Sequence, residues 1–319
     1  MYIPSTMIAY RSSPPWLALR ILLASAVALA IVTPRAVACS QCLCGSPTPP
    51  GYLLGAATDR FDFGIEDRYL AKTNALADSP GEEQQNEHRL GGLAMWRTGH
   101  LSLQARLPYV WKELTEVPAG EMEATSRSHG LGDADALARW DAMRRGSFAN
   151  QTRLGLVAGA SIPTGSNDLR DAAGNRLEQH LQTGTGAWSG TFGLAGDALR
   201  PGSALSASVL GRLNGTNTHG YHYGNALLYN AGWARTLGPT WQASLELNGR
   251  TAERDRTEDG TSDPHSGGTV LYASPGVRWL TTSRVALDLL VQIPVAQALY
   301  GVQHEKTTAR FAVTFVGGR

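Results

Sequence analysis

The chain is predicted to be all-β, a membrane-spanning antiparallel up-and-down β-barrel of about 12 strands. Three observations predict it. From Phe61 to Val316 short stretches alternate apolar and polar residues, the connections between them are short and long in turn, and aromatic residues gather toward the stretch ends. Alternation places one face against lipid and the other in the lumen, because successive strand side chains point to opposite sides.

The alternation is plainest in three stretches. Leu101, Leu103, Ala105, Leu107, Tyr109 and Trp111 share one face, with Ser102, Gln104, Arg106, Pro108 and Lys112 on the other. Trp241, Ala243, Leu245 and Leu247 oppose Gln242, Ser244, Glu246 and Asn248, and Val285 to Ile293 repeats the scheme against Arg284, Asp288 and Gln292. A soluble β-sandwich would share this pattern, so the connections decide. Short turns are expected near 98–100, 145–150, 196–202, 237–240 and 281–283, and long polar loops over 74–86, 113–130, 165–182, 214–222, 252–267 and 300–305. Strict alternation of this kind puts the short turns and both chain ends in the periplasm and the loops outside. Trp96, Trp140, Trp233, Trp241, Trp279 and Phe315 fall toward the short-turn ends, and Tyr109, Trp111, Tyr223 and Tyr272 toward the other rim, as interfacial belts require.

The one long apolar run, Ile21 to Val32, is shorter than the roughly 20 residues a spanning helix needs. Preceded by Arg11 and Arg20 and followed by Ala36-Val37-Ala38, it reads as a secretory signal peptide over residues 1–38, with Met7 an alternative start. Residues 39–60 then form a cysteine-containing segment and 61–319 the barrel. A mean hydropathy of −0.19 is compatible with membrane residence, since a closed barrel satisfies its backbone hydrogen bonds between strands. A net charge of +1 with no basic run excludes nucleic acid as an expected partner. Outer-membrane lipid and small-molecule solutes are the partners expected instead.

All three cysteines sit together as Cys39, Cys42 and Cys44. Three thiolates this close can hold Cu(I) or Zn(II). A disulfide with one thiol left over, lipidation of Cys39, and docking of a periplasmic partner on this segment stay open. Covalent haem is disfavoured, because Leu43 follows Cys42 where a histidine is needed. The segment is long enough to enter the lumen as a plug.

Several motifs, Gly130-Leu-Gly-Asp133, Gly159-Ala-Ser-Ile-Pro163-Thr-Gly165, Leu271 to Trp279 and Val291 to Val295, resemble in order and spacing the outer-membrane channel family named for the MetA pathway of phenol degradation. That family is similar to long-chain fatty-acid-type channels for hydrophobic compounds. The resemblance implies a channel for passive uptake or export of small, apolar molecules among them. The alternative is a structural, redox or metal-binding sleeve that uses Cys39, Cys42 and Cys44. The chain departs from many such barrels at its end, where the expected terminal aromatic is displaced inward to Phe315.

No enzyme is expected. His265 and Ser266 are adjacent on a glycine-rich loop, and sequential neighbours there point apart. His219 and His222 read as outer-loop residues. Parity turns Arg68, Arg89, Arg97, Arg106, Arg139, Arg153, Arg212, Arg250, Arg278, Arg284 and Arg310 inward, with Asp62, Glu66, Asp135, Asp141, Glu246 and Asp288. Arg106, Arg139, Arg153, Glu246, Asp288 and Arg310 are the lumen-lining set on which selectivity is expected to rest.

Overall fold

The computed structural model describes residues 60–75, 81–120, 122–147 and 150–317. The cysteine segment, and with it the metal, disulfide, lipid and plug readings of Cys39, Cys42 and Cys44, lies outside the described residues, as does the signal peptide.

The strands are β1 (Arg60–Ala75), β2 (Gly81–Thr98), β3 (Leu101–Pro118), β4 (Ala124–Leu131), β5 (Ala134–Ser147), β6 (Asn150–Ile162), β7 (Ser189–Arg200), β8 (Ser203–Asn214), β9 (Ala226–Thr236), β10 (Trp241–Ala252), β11 (Gly268–Leu280), β12 (Val285–Leu299), β13 (Gln303–Glu305) and β14 (Thr308–Val316). β4 and β5 pair with successive stretches of the same strand, β3, and β13 and β14 with successive stretches of β1. Each couple is therefore one stave, and the wall has twelve. β1 pairs with β2 from Arg60↔Arg97 to Ala75↔Glu82 and with β14 from Asp62↔Val316 to Tyr69↔Ala309, which closes the sheet. Phe63 and Phe315 stack across this seam with ring centroids 5.3 Å apart.

The faces follow from the register. Phe61, Phe63 and Ile65 of β1 are exposed on the outside, while Asp62, Glu66 and Arg68, at even positions of the same strand, are buried inside. The same division runs round the wall through Leu103, Leu107, Leu156, Phe192, Leu194, Leu205, Val209, Leu227, Leu245, Val277, Leu289 and Phe311, all outward and exposed. An unbroken apolar girdle of this kind far exceeds the few hundred Å² that a soluble monomer leaves to water. Lipid is the medium that fits it. Trp96, Trp140, Trp233, Trp241 and Trp279 ring the short-turn end, Trp241 and Trp279 stacked at 5.3 Å.

Three expectations are corrected. Polar stretches over 81–86, 113–118, 124–130 and 303–305 are strands rather than loops. β2 and β3 have 18 residues each, about 60 Å at ~3.3 Å per residue, against the ~9–11 residues that span a bilayer. Their outer ends stand in water on both sides, where no apolar face is required. Tyr272 and Tyr223 are buried rather than at the lipid rim, Tyr272 facing the lumen from β11 and Tyr223 packing on Tyr221 in a loop. Arg284 lies exposed in the turn before β12, outside the lumen set.

Candidate functional site

The lumen is filled by layers of charge. Nearest the short turns, Arg139 donates to Asp141 at 2.8 Å and to Asp197 at 2.6 Å, and Arg153 donates to the other Asp197 oxygen at 2.6 Å. The Asp197 side chain is wholly buried between them. Across the lumen Arg278 meets Asp288 at 3.6 Å. At mid-depth one carboxylate, Glu66, is shared by Arg68 at 3.0 Å, Arg106 at 3.4 Å and Arg310 at 3.7 Å. Charges of either sign would cost ~2–4 kcal/mol on the lipid face at this depth, so the wall turns them inward and pairs them.

On the opposite wall amides and a hydroxyl surround a single carboxylate. Asn248 donates to Asn230 at 2.8 Å and to Glu246 at 3.0 Å, and Ser274 donates to the Asn248 carbonyl at 2.5 Å. Glu246 thus meets an amide. Of the six residues named for the lumen, Arg106 and Arg310 meet at Glu66, Arg139 and Arg153 meet at Asp197, and Asp288 and Glu246 stand apart on β12 and β10.

The loop end is closed by a folded crown. The 163–188 connection carries a single 3-10 turn, Gln179–Leu181, which lies against β3 and β4. Lys112 Nζ donates to the carbonyls of His180 at 2.9 Å and Gln182 at 2.7 Å, so an inward cation of β3 suspends the loop across the lumen. Gln182, fully buried, exchanges hydrogen bonds with the Leu169 backbone and donates to Leu177 O.

The loop is anchored at the break between β4 and β5. Asp133 Oδ1 accepts the Gly165 N–H at 3.0 Å, and Oδ2 accepts the Thr185 N–H at 2.8 Å and its hydroxyl at 2.6 Å. Thr164 bridges the same break, donating to Gly132 O at 2.8 Å. Gly165 and Gly184 sit back to back, where a Cβ on Gly165 would stand 2.6 Å from Gly184 Cα; only glycine permits that approach. The Gly130-to-Asp133 and Pro163-to-Gly165 motifs therefore form one joint. Asp197 is the working residue that the sequence alone did not name, while Lys112 and Asp133 were visible there only as a member of an inward face and of a motif.

The crown is completed by the 215–225 and 253–267 loops. Buried Asp255 accepts the Tyr221 hydroxyl at 2.8 Å and the Gly224 N–H at 2.8 Å, and Ser266 Oγ accepts the Asp255 N–H and donates to Asp263 O. The Ser266 hydroxyl is thus committed to backbone groups and does not address His265. His222 contacts Thr216 at 3.3 Å, and His219 lies 3.9 Å from Asp168. Among the described residues no three of His, Cys, Asp and Glu converge as metal ligands.

Burial first, and Asp263 nearby, push the Asp255 carboxyl above the usual carboxylate range, against the opposing hydrogen bonds of Gly224 and Tyr221 and the more distant Lys72. The folded crown therefore holds this proton more tightly than the unfolded loop does. Its contribution is full below the ordinary carboxylate range and is lost as pH rises through the raised value. Limited proteolysis of residues 253–267 is expected to accelerate as pH rises above the ordinary carboxylate range, and D255N, which keeps the Gly224 acceptor, is expected to flatten that profile.

Beneath the loop lies a small chamber, with about 50 Å³ of room for the centres of water-sized molecules and part of it open to solvent, lined by Arg68, Arg89, Arg106, Lys112 and Arg212 together with Glu66, Asp133 and Asp135. A family profile described as "Putative MetA-pathway of phenol degradation" matches residues 58–303. The chain belongs to this family. Among solved structures it is similar to an outer-membrane channel from Pseudomonas putida F1, with a TM-score of 0.64 at 13% identity, covering 86% of this chain and 99% of that one. That likeness shows the shared barrel fold. Slighter likenesses, too weak to carry an argument, are to the translocator domain of the autotransporter NalP from Neisseria meningitidis (TM-score 0.45, 13% identity, 82% and 90% covered) and to the toluene transporter TodX from P. putida (0.42, 10%, 85% and 93%). No curated protein matches.

Proposed function

We propose that this member of the family is a channel of the bacterial outer membrane through which small molecules, apolar ones included, pass passively. The observation that carries the reading is the pairing of a complete lipid-facing girdle with a charged interior that keeps a solvent-connected cleft beneath a suspended loop. A barrel serving only as a rigid anchor has no need of buried guanidiniums around a chamber, since each is costly to desolvate. Family membership and the fold shared with the P. putida F1 channel support the reading.

The constriction is the loop rather than the wall. Lys112 holds it through two carbonyls, and Asp133 joins it to the β4–β5 break. Swelling of liposomes that contain the refolded protein tests the function. Small neutral solutes such as benzyl alcohol and short polyols should enter faster than into protein-free liposomes, and rates no faster than those of bare lipid would contradict it.

A further inference from the structure

We propose that the chamber is a selectivity subsite for a small organic carboxylate with an apolar body. The inference rests on the channel reading and adds the class of solute. It begins with one strand face. Arg106, Pro108, Val110 and Lys112 are consecutive inward positions of β3, so a single wall offers a cation, two apolar surfaces and a second cation in succession. That order matches a molecule with an acidic head and a carbon skeleton better than it matches an inorganic ion or a sugar.

The head end has a surplus of donors. Glu66 is already shared by three guanidiniums, and both Asp133 oxygens are taken by Gly165 and Thr185. Asp135 lies opposite Arg106 in register, with no ion pair between them among the described residues. The Arg106 Nε is buried and has no hydrogen-bond partner among the described residues, although its NH2 reaches Glu66 at 3.4 Å. Arg212, from the facing β8, donates to the Asn214 side-chain carbonyl at 3.1 Å, an amide where a carboxylate would bind it more strongly. A buried guanidinium with an unused donor costs free energy that an incoming carboxylate recovers.

The apolar end is made by Pro108 and Val110, with Gly91 and Gly132 leaving room between staves. The cleft leaves about 50 Å³ for the centres of water-sized molecules and opens in part to solvent, so it seats a carboxylate head and leaves the rest of a solute in the lumen. A phosphate or sulfate would satisfy the cations and leave this surface unused. An uncharged aromatic would leave the cations unsatisfied.

Benzoate is the probe, and it is read in two ways on the full refolded chain. Isothermal titration in detergent measures binding whether or not the protein conducts, and planar-bilayer recording measures benzoate block of the chloride current. Saturable binding and block are expected with benzoate, with inorganic phosphate clearly weaker and benzyl alcohol showing neither. R106Q and R212Q are each expected to weaken benzoate about tenfold or more, the loss of one charge-assisted hydrogen bond, and V110S to weaken benzoate while sparing phosphate. Heat-modifiable mobility on gels confirms that each variant is folded, and R212Q carries the test if R106Q is not. Chloride current without benzoate binding, equal affinity in wild type and R212Q, or phosphate binding as tightly as benzoate would overturn the subsite. Benzoate binding that R212Q weakens, in a protein passing neither current nor solute, would uphold the subsite and refute the channel.

Discussion

Replacing Asp197 with alanine is expected to cost the folded barrel about 3–5 kcal/mol, the range for removing one partner of a buried ion pair. Asp197 takes Arg139 and Arg153 at 2.6 Å each with its side chain fully buried, so D197A leaves two guanidiniums inside the wall with Asp141 alone to balance them. Asp141 lies 2.8 Å from Arg139 and 4.0 Å from Arg153, which places the expected loss toward the lower end. Removing Arg153 as well should return part of the loss, because the two residues act through one contact. Urea unfolding in lipid vesicles, followed by tryptophan fluorescence, measures both variants. A loss under about 1 kcal/mol for D197A would mean that lumen water already screens the site.

The lipid face is expected to respond as strongly for a different reason. Leu194 points outward from the middle of β7, exposed beside Leu156 and Val209 of the neighbouring staves. L194R should cost about 2–4 kcal/mol, the price of a guanidinium near the bilayer midplane. L194M should cost little, since it retains an apolar side chain. If the girdle faced water instead, L194R would be neutral or would improve solubility, so the same urea titration distinguishes the two surroundings.

The barrel could be read from the chain because lipid imposes a rule at every second residue. Phe61, Phe63 and Ile65 obey it in β1, as do Leu245 and Leu247 in β10, and turn chemistry marks the periplasmic ends. Where lipid ends, the rule ends. Gly81 to His88, polar on both faces, pairs with 111–118 as securely as any membrane-embedded stretch, yet shows no alternation that would reveal it. Tyr272 is a different case, since the parity of β11, with Val277 and Trp279 outward, already points it inward; position near a rim was given weight over parity.

The site was legible in part. Alternation turns Arg106, Arg139, Arg153 and Arg310 inward, but it cannot say which acid each one meets. Asp197 escaped notice because Gly196, Pro201 and Gly202 suggested a turn where β7 continues to Arg200. The suspended loop depends on Lys112 reaching carbonyls 68 and 70 residues away, a contact without local signature. The Gly130-to-Asp133 and Pro163-to-Gly165 motifs were visible as strand-end chemistry, and only the fold shows that they form one joint.

The central claim is that a lipid-embedded barrel conducts through a lumen whose chamber is lined by five cations and three carboxylates. Planar-bilayer recording of the refolded full chain under a salt gradient tests it most directly. Discrete current steps with a reversal potential shifted toward the anion equilibrium potential are the expected result, modest in size because Glu66, Asp141, Asp197 and Asp288 neutralise much of the field. Clear cation selectivity, or bilayers that stay silent after verified insertion, would contradict it.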